Sequence, residues 1–307
     1  DDKDAIEAAL NQVSTATQEL AFTLRDGMEY VEACMKRGLD VDTFAPRLSF
    51  FFNSHNEFFE EICKIRAARR LWSHAMRDRF GAKNDRSLLM RTHVQTAGCS
   101  LTEQQPLNNI VRVAYQAMAG VLGGCQSLHT DSMDETLGLP TETAVRVALR
   151  TQQILAHETG VHRTVDPLAG SYFVESLTNQ MEADANKIID EVDEMGGVVQ
   201  GIHKGYFRRS IAEASYRFGQ EMEAGDRIIV GVNAYLDGNE DTQVELLQIP
   251  HEVETRQCER LDKVVNNRDN DAALRALDVI RDTARSDENV MNSLVEASLA
   301  RCTLGEM

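Results

Sequence analysis

Two neighbouring stretches of this sequence combine a few apolar residues with many polar side chains and with glycines towards their ends. Residues 91–100 read Arg-Thr-His-Val-Gln-Thr-Ala-Gly-Cys-Ser, and residues 126–140 read Gln-Ser-Leu-His-Thr-Asp-Ser-Met-Asp-Glu-Thr-Leu-Gly-Leu-Pro. In a barrel of parallel strands, the body of each strand belongs to the core and its carboxyl end belongs to the functional site. We therefore predict that both stretches are strands whose last residues bind a ligand.

His93 and Gln95 are the first candidate binding pair. They share one face of their strand because side chains alternate along a strand. An imidazole beside an amide can hold a carbonyl group without adding net charge. A polar pair that is satisfied inside the barrel explains the same residues equally well.

Arg47 and Ser49 are a second pair, beside the apolar segment Leu48–Phe52 that follows Pro46. This segment is predicted to be a short strand with both residues on one face. A guanidinium group suits phosphate because it donates two charge-assisted hydrogen bonds. On the residues alone, an ion pair with a nearby acidic side chain is the more frequent role of such an arginine.

Gly98 and Glu135 follow the two predicted strands. A glycine lets a flat ligand approach the backbone closely. A carboxylate can accept hydrogen bonds from hydroxyl groups of a ligand. Acidic residues are also common in solvated loops just before a helix, so Glu135 has a structural explanation as well.

Composition restricts the function. The chain has 307 residues, 42% of them hydrophobic, and a net charge of -17. This charge argues against binding to nucleic acid or to an anionic membrane surface. The six cysteines form no CxxC pair and the histidines lack zinc spacing, which is typical of reduced thiols in the cytoplasm. No apolar run is long enough to cross a membrane, and no signal peptide is recognised.

The first two-thirds of the chain alternates predicted helices and strands. Strands are predicted at Leu48–Phe52, from Leu88 into residues 91–93, and at Gln126–Thr130, and capping boxes at Ser54/Glu57 and Thr102/Gln105 open the following helices. Later helices are predicted at 141–157, 174–195, 253–265, 272–284 and 290–300, with strands or extended connectors at 228–235 and 244–249.

Short loops between strands and helices indicate a parallel sheet with helical crossovers. Three such strands cannot close a barrel, which needs eight. We therefore predict an α/β fold in which residues 1–170 form the second half of a (β/α)8 barrel. Residues 171–307 are predicted to be a mainly helical extension that packs on the barrel or on a partner.

The two motifs, together with Arg47-Leu-Ser-Phe-Phe51, resemble the large subunit of methylmalonyl-CoA mutase and its relatives, the adenosylcobalamin-dependent acyl-CoA mutases. The similarity runs from about Ser14 to the C-terminus, and residues 1–13 do not match. It implies the sixth to eighth strand–helix units of a TIM barrel. It also implies a site whose residues can be assigned one by one. The implied acyl-CoA contacts are Arg47, Leu48, Ser49, Phe51, His93, Gln95 and Gln126, and the implied cobalamin contacts are Gly98, Glu135, Thr136, Gly138 and Leu139.

The sequence also departs from the family. The family's Tyr-His pair on the fifth strand should fall at Glu7 and Ala8, and neither residue fits. The Asp-x-His-x-x-Gly motif that ligates cobalt is absent, although some members carry that domain on a separate small subunit. We expect no catalytic residue and no protein metal ligand within this chain, and we expect the chain alone to be inactive.

The resemblance implies an isomerase that performs a radical 1,2-rearrangement of methylmalonyl-CoA to succinyl-CoA with adenosylcobalamin. Isobutyryl-CoA or a hydroxyacyl-CoA is the alternative substrate, and a non-catalytic scaffold subunit is the alternative role. The implied partners are the acyl-CoA, a cobalamin-binding domain or small subunit, the N-terminal half of the barrel, and further copies in an oligomer. The expected location is the cytoplasm.

Overall fold

The structure, a computed structural model, describes residues 14–236, residue 238 and residues 246–307. These residues form two compact units, the first ending at Leu247 and the second comprising Gln248–Met307. Each unit has its own cluster of buried apolar side chains. The positions expected for the Tyr-His pair, Glu7 and Ala8, lie outside the described residues.

The first unit alternates helices and strands up to residue 158 and is helical beyond it. Its elements are α1 (Ala16–Lys36), α2 (Val41–Phe44), β1 (Phe50–Ser54), α3 (Phe58–His74), α4 (Asp85–Leu88), β2 (Thr92–Thr96), α5 (Asn108–Gly123), β3 (Ser127–His129), α6 (Glu142–Glu158), α7 (Tyr172–Glu194), α8 (Val198–His203) and α9 (Tyr206–Ala224). The second unit contains α10 (His251–Asn267), α11 (Asn270–Ala284) and α12 (Met291–Leu299).

Among the described residues the sheet has three parallel strands in the order β1-β2-β3. One face is covered by helices and buries Phe50, Phe52 and Val94. The other face is open and carries one aromatic and five polar side chains. These are Phe51, Asn53, His93, Gln95, Ser127 and His129, all exposed or half-buried. The predicted parallel sheet with helical crossovers is confirmed; closure into a barrel stays a prediction.

All three strands start later than the sequence pattern indicated. Pro46 lies in a 3-10 turn, Ala45–Arg47, which delays β1 to Phe50 because proline has no N–H and presets the backbone for a helical turn. Asn84 caps α4 by accepting a hydrogen bond from the Arg86 N–H, which delays β2. The prediction that Arg47 and Ser49 share a strand face was therefore wrong, since both precede β1.

Both predicted capping boxes were also wrong. Ser54 is the last residue of β1, and its hydroxyl donates to the carbonyl oxygen of Gln116 at 2.7 Å. The hydroxyl of Thr102 donates to the carbonyl oxygen of Gln104, and α5 begins only at Asn108. In each case the hydroxyl bonds to a carbonyl oxygen outside the first turn of the helix. A capping box does open α1, between Thr15 and Gln18.

The long helix α7 packs against α1 and α3. Its apolar side chains Val174, Met181 and Ala185 belong to the same buried cluster as Leu24 and Trp72. The helical region after residue 170 thus continues the compact unit to Leu247. The segment 228–235, predicted as a strand or an extended connector, contains only an isolated bridge between Val230 and Ala234. Residues 246–249 have no regular structure, and residues 244–245 lie outside the described part. The domain boundary near residue 170 stays a prediction.

The second unit confirms the three predicted C-terminal helices. Its buried cluster comprises Ala273, Leu277, Ile280, Ala297 and Cys302. Arg268 binds Glu306 near the C-terminus through a bidentate ion pair, in which each hydrogen bond is 2.6 Å long. None of the described helices in either unit is long and apolar enough to cross a membrane.

Candidate functional site at the carboxyl ends of the strands

A cavity of about 1380 Å³ lies at the carboxyl ends of β1 and β2, beneath α9. The residues that follow the strands form its floor, and one side of α9 forms its roof. Lining residues from the floor include Asn53, His55, Asn56, Gln95, Gly98, Ser100, Thr102, Glu135 and Thr136, and those from the roof include Ala212, Tyr216 and Phe218. We call it the strand-end cavity. Its floor is mostly polar and uncharged, which suits a ligand rich in amides and hydroxyls.

Gln95 is held in this cavity by Asp131, the second residue after β3. The amide Nε2 of Gln95 donates to Oδ1 of Asp131 at 2.9 Å, and the hydroxyl of Thr96 donates to Oδ2 at 3.0 Å. Burial raises the pKa of the Asp131 carboxyl. The amide nitrogen of Gln95 is the donor in this pair and therefore faces Asp131. Its carbonyl oxygen, which has no donor among the described residues, is therefore presented as an acceptor.

Gly98 and Glu135 come together across the floor of the cavity. A Cβ atom added to Gly98 would lie 3.4 Å from Cγ of Glu135 and 3.6 Å from Oδ2 of Asp131. The loop after β3 is fixed by Asp134, whose carboxylate accepts from the N–H of Thr141 at 2.9 Å. A side chain at position 98 would therefore crowd the carboxylates beside the cavity.

The remaining predicted cofactor residues lie farther along the same loop. Thr136 lines the strand-end cavity. Gly138 has no atom within 4 Å of an added Cβ, and the side chain of Leu139 is exposed. Gly98, Glu135 and Thr136 therefore lie together in the cavity, whereas Gly138 and Leu139 lie on the outer part of the loop.

A second, more apolar cavity of about 630 Å³ contains three of the predicted substrate residues. Leu48, Ser49 and Phe51 line it together with side chains of α1, α8 and α9. Phe51 also reaches the open face of the sheet, where its ring lies 5.3 Å from that of His93. The Nδ1 atom of His93 is 2.7 Å from the hydroxyl of Ser127. His93 and Phe51 thus form a continuous surface between this cavity and β3.

Arg47 and Gln126 lie outside both cavities. Arg47 is exposed and forms no ion pair with a described residue, so the acidic partner weighed from sequence is not found there. Gln126 precedes β3, and its Oε1 accepts from the N–H of Thr92 at 2.6 Å. The residues of β3 that stand beside His93 and Gln95 in the register are Ser127 and His129.

His55 is a cavity residue for which the sequence patterns gave no prediction. It directly follows β1, and its Nδ1 accepts a hydrogen bond from the backbone N–H of Asn56 at 2.8 Å. Burial, reinforced by the positive charge of Lys64, lowers the pKa of His55 to about 4. A histidine at the carboxyl end of a parallel strand was the only sequence signal available. Among the described residues, no group of three or more His, Cys, Asp or Glu side chains is arranged to hold a metal ion.

The first unit has an α/β fold with a cavity at the carboxyl ends of its parallel strands, where α/β proteins commonly bind ligands. A family model described as methylmalonyl-CoA mutase matches residues 9–307. The chain is 49% identical over 296 residues to the methylmalonyl-CoA mutase of Rhizobium meliloti (strain 1021) and 45% identical over 295 residues to that of Escherichia coli (strain K12). It is 47% identical over 294 residues to the mitochondrial methylmalonyl-CoA mutase of Homo sapiens.

The chain therefore belongs to the methylmalonyl-CoA mutase family, which confirms the resemblance seen in the motifs. The match starts at residue 9, slightly before the start near Ser14 that the motifs indicated. The alignments cover 95–96% of this chain but only 39–41% of these relatives. The chain thus spans about two fifths of the length of the curated relatives it matches.

Proposed function

We propose that this chain is the substrate-binding part of the large subunit of an adenosylcobalamin-dependent acyl-CoA mutase, an isomerase that converts methylmalonyl-CoA to succinyl-CoA. The observation that carries this proposal is the continuity of three surfaces. The apolar cavity with Ser49 and Phe51 leads to the open face with His93, and that face leads to the strand-end cavity with Gln95. A long substrate can be held along such a path while its reacting end meets a cofactor.

The residues of the strand-end cavity fit adenosylcobalamin. Gly98 lines the cavity without a side chain, which suits a flat ring, and the cavity offers amides and hydroxyls to a ligand rich in such groups. Gly98, Glu135 and Thr136 would contact the cofactor within the cavity, and Gly138 and Leu139 would contact it from the outer part of the loop. When bound, the cofactor supplies the radical chemistry of the 1,2-rearrangement.

The work of this chain's own residues is binding and positioning. Arg47, free of ion pairs with described residues, would meet a phosphate of coenzyme A, and Leu48, Ser49 and Phe51 would hold the adjoining part of the substrate. His93 and Gln95 would face the acyl end with uncharged polar groups. Gln126, which precedes β3, would contact the substrate nearer the amino ends of the strands. Exclusion of water from the occupied site would protect reactive radicals from side reactions.

The proposed architecture is the C-terminal part of a TIM (β/α)8 barrel. The open sheet face supports it, because inward-pointing residues of a barrel pack in layers contributed by facing strands. The proposed partners are the N-terminal half of the barrel, a cobalamin-binding domain or small subunit, and further copies in an oligomer. A cytoplasmic location is proposed as well, and it is supported by six cysteines that form no disulfide.

The test is turnover by this chain in the complete mutase, assembled with the upstream half of the barrel and a cobalamin-binding domain. Conversion of methylmalonyl-CoA to succinyl-CoA that depends on adenosylcobalamin is expected, with none from this chain alone. Isobutyryl-CoA and a hydroxyacyl-CoA serve as competing substrates in the same assay. An assembly that binds its partners but turns over no acyl-CoA would identify a scaffold subunit instead.

A further inference from the structure

His55 occupies a position that the proposed function leaves without a role. It lines the strand-end cavity and also a neighbouring cavity of about 410 Å³ that contains Glu19 and Arg227. It therefore stands at the border between two spaces, both of them covered by α9.

The tautomer of His55 is fixed by its neighbour. The backbone N–H of Asn56 donates to Nδ1, so the lone pair of Nδ1 is used and the single proton of the neutral ring lies on Nε2. Asn56 is itself held firmly, since its Oδ1 accepts from the hydroxyl of Tyr115 at 2.8 Å and from Nε2 of Gln116 at 2.6 Å. The ring of His55 is thus oriented by a chain of hydrogen bonds that ends in α5.

The Nε2 atom of His55 is buried and has no hydrogen-bond partner among the described residues. A buried N–H group without an acceptor destabilises a protein, so such groups are rare in native structures. When one lies at a cavity, a bound ligand is a physical explanation for its retention. The N–H group would then find its acceptor only in the complex.

The charges around His55 keep its ring neutral. Burial is the main cause of its lowered pKa, and the nearby cations Lys64 and Arg227 act in the same direction. Glu19 and Glu57 oppose this effect, but Glu19 is bound to Lys64 and Glu57 lies near Arg227. At neutral pH, His55 is therefore a hydrogen-bond donor that carries no charge.

We propose that the Nε2–H group of His55 is a binding group for adenosylcobalamin that donates a hydrogen bond to an uncharged oxygen of the cofactor. This inference rests on the proposed function, because it takes the strand-end cavity to be the cofactor's site. Two parts of the cofactor carry such oxygens, the amide side chains of the corrin ring and the ribose hydroxyls of the adenosyl group. Both are acceptors of the kind that a neutral imidazole N–H recognises.

The experiment uses three variants of His55 in the complete mutase, with cobalamin affinity measured by absorbance titration. His55→Phe keeps a ring but removes the donor, whereas His55→Gln keeps an N–H at a similar reach. His55→Asn retains an acceptor for the Asn56 N–H but does not reach as far, and it replaces the Phe variant if that protein fails to fold. We expect Phe and Asn to weaken binding about tenfold, as for one lost hydrogen bond, and Gln to restore most of the affinity.

The choice of cobalamin separates the two acceptors. An equal loss with adenosylcobalamin and hydroxocobalamin would assign the acceptor to the corrin amides, and a loss confined to adenosylcobalamin would assign it to the ribose. The ratio of the variant and wild-type dissociation constants should stay constant between about pH 5.5 and 8, because the group remains neutral there.

Three results would overturn the inference. Unchanged cobalamin affinity in His55→Phe, equal losses in Phe and Gln, or an effect confined to the KM for acyl-CoA would each show that His55 does not bind the cofactor. A wild-type assembly that binds no cobalamin would instead refute the proposed function, and it would refute the inferred role of His55 as well.

Discussion

Gln95 in β2 and Asp131, the second residue after β3, are joined by a hydrogen bond of 2.9 Å from amide nitrogen to carboxylate. This contact decides which end of the Gln95 amide faces the cavity. Asp131 is itself fixed, because its own N–H donates to the hydroxyl of Thr96 at 2.9 Å. Gln95 therefore presents an acceptor in a set orientation without a further conformational change.

The first prediction concerns this orientation. Asp131→Asn offers Gln95 both a donor and an acceptor, so the amide of Gln95 can turn over. We expect kcat/KM of the complete mutase to fall about tenfold, the value of one misplaced hydrogen bond. Steady-state kinetics provides the measurement, and Asp134→Asn in the same loop is the matched control because it does not contact Gln95. Equal losses in both variants would indicate a general effect on the loop.

The second prediction concerns Arg47. Arg47→Ala should raise the KM for acyl-CoA with little change in kcat, because it would remove the proposed contact to coenzyme A, a part of the substrate remote from the reaction. The lost charge-assisted contact is worth about 1.5–3 kcal/mol. Arg37→Ala, at another exposed arginine of the same unit, should have no such effect. An unchanged kcat/KM in Arg47→Ala would exclude a role in binding coenzyme A.

The third prediction follows from the pKa of His55, which the fold lowers from 6.5 to about 4. Between these values the unfolded chain binds more protons than the folded protein, so the free energy of unfolding must decrease as the pH falls. The contribution of His55 to the free energy of unfolding is fully present above about pH 6.5. It is lost progressively towards pH 4, by at most about 3 kcal/mol.

Urea unfolding of the complete mutase at a series of pH values measures this loss. His55→Gln should reduce the slope in this window, because glutamine does not titrate. His203→Gln, which replaces an exposed histidine, should leave the slope unchanged. The same slope in wild type and His55→Gln would show that His55 titrates alike in the folded and unfolded states.

The helices were predictable because their packing follows a simple period. Leu20, Leu24, Met28 and Val31 recur at helical spacing, and all four are buried. The starts of the strands were not predictable, because turns at Pro46 and Asn84 compete with extended structure over the same residues. The hydroxyls of Ser54 and Thr102 have the spacing of capping boxes, but their partners are fixed by the fold.

The site residues also divide into those that a sequence pattern predicts and those whose contacts depend on the fold. Parallel pairing and alternation predicted that His93 and Gln95 share a face, and the register confirms it. The link from Gln95 to Asp131 was missed because it joins two strands at a point that depends on their register. His55 was missed because its state depends on the N–H of Asn56 and on the packing around it, and neither leaves a pattern in the sequence.

The last prediction concerns the open face of the sheet. Phe51, with 51% of its surface exposed, lies beside His93 on a face that the described elements cover only in part. The outer strands β1 and β3 also have unpaired edges within the described chain. Such edges and faces favour association with another chain. The isolated chain should therefore aggregate, dimerise or remain loosely packed.

Adding the upstream half of the barrel in trans should correct this behaviour. A partner that binds only the folded form raises the melting temperature, and the rise should grow with the concentration of the added half. Size-exclusion chromatography and thermal unfolding measure the two effects, with an unrelated half-barrel as the control. A monomeric chain that melts cooperatively and does not respond to the upstream half would contradict the incomplete barrel, because its open face would then need no partner.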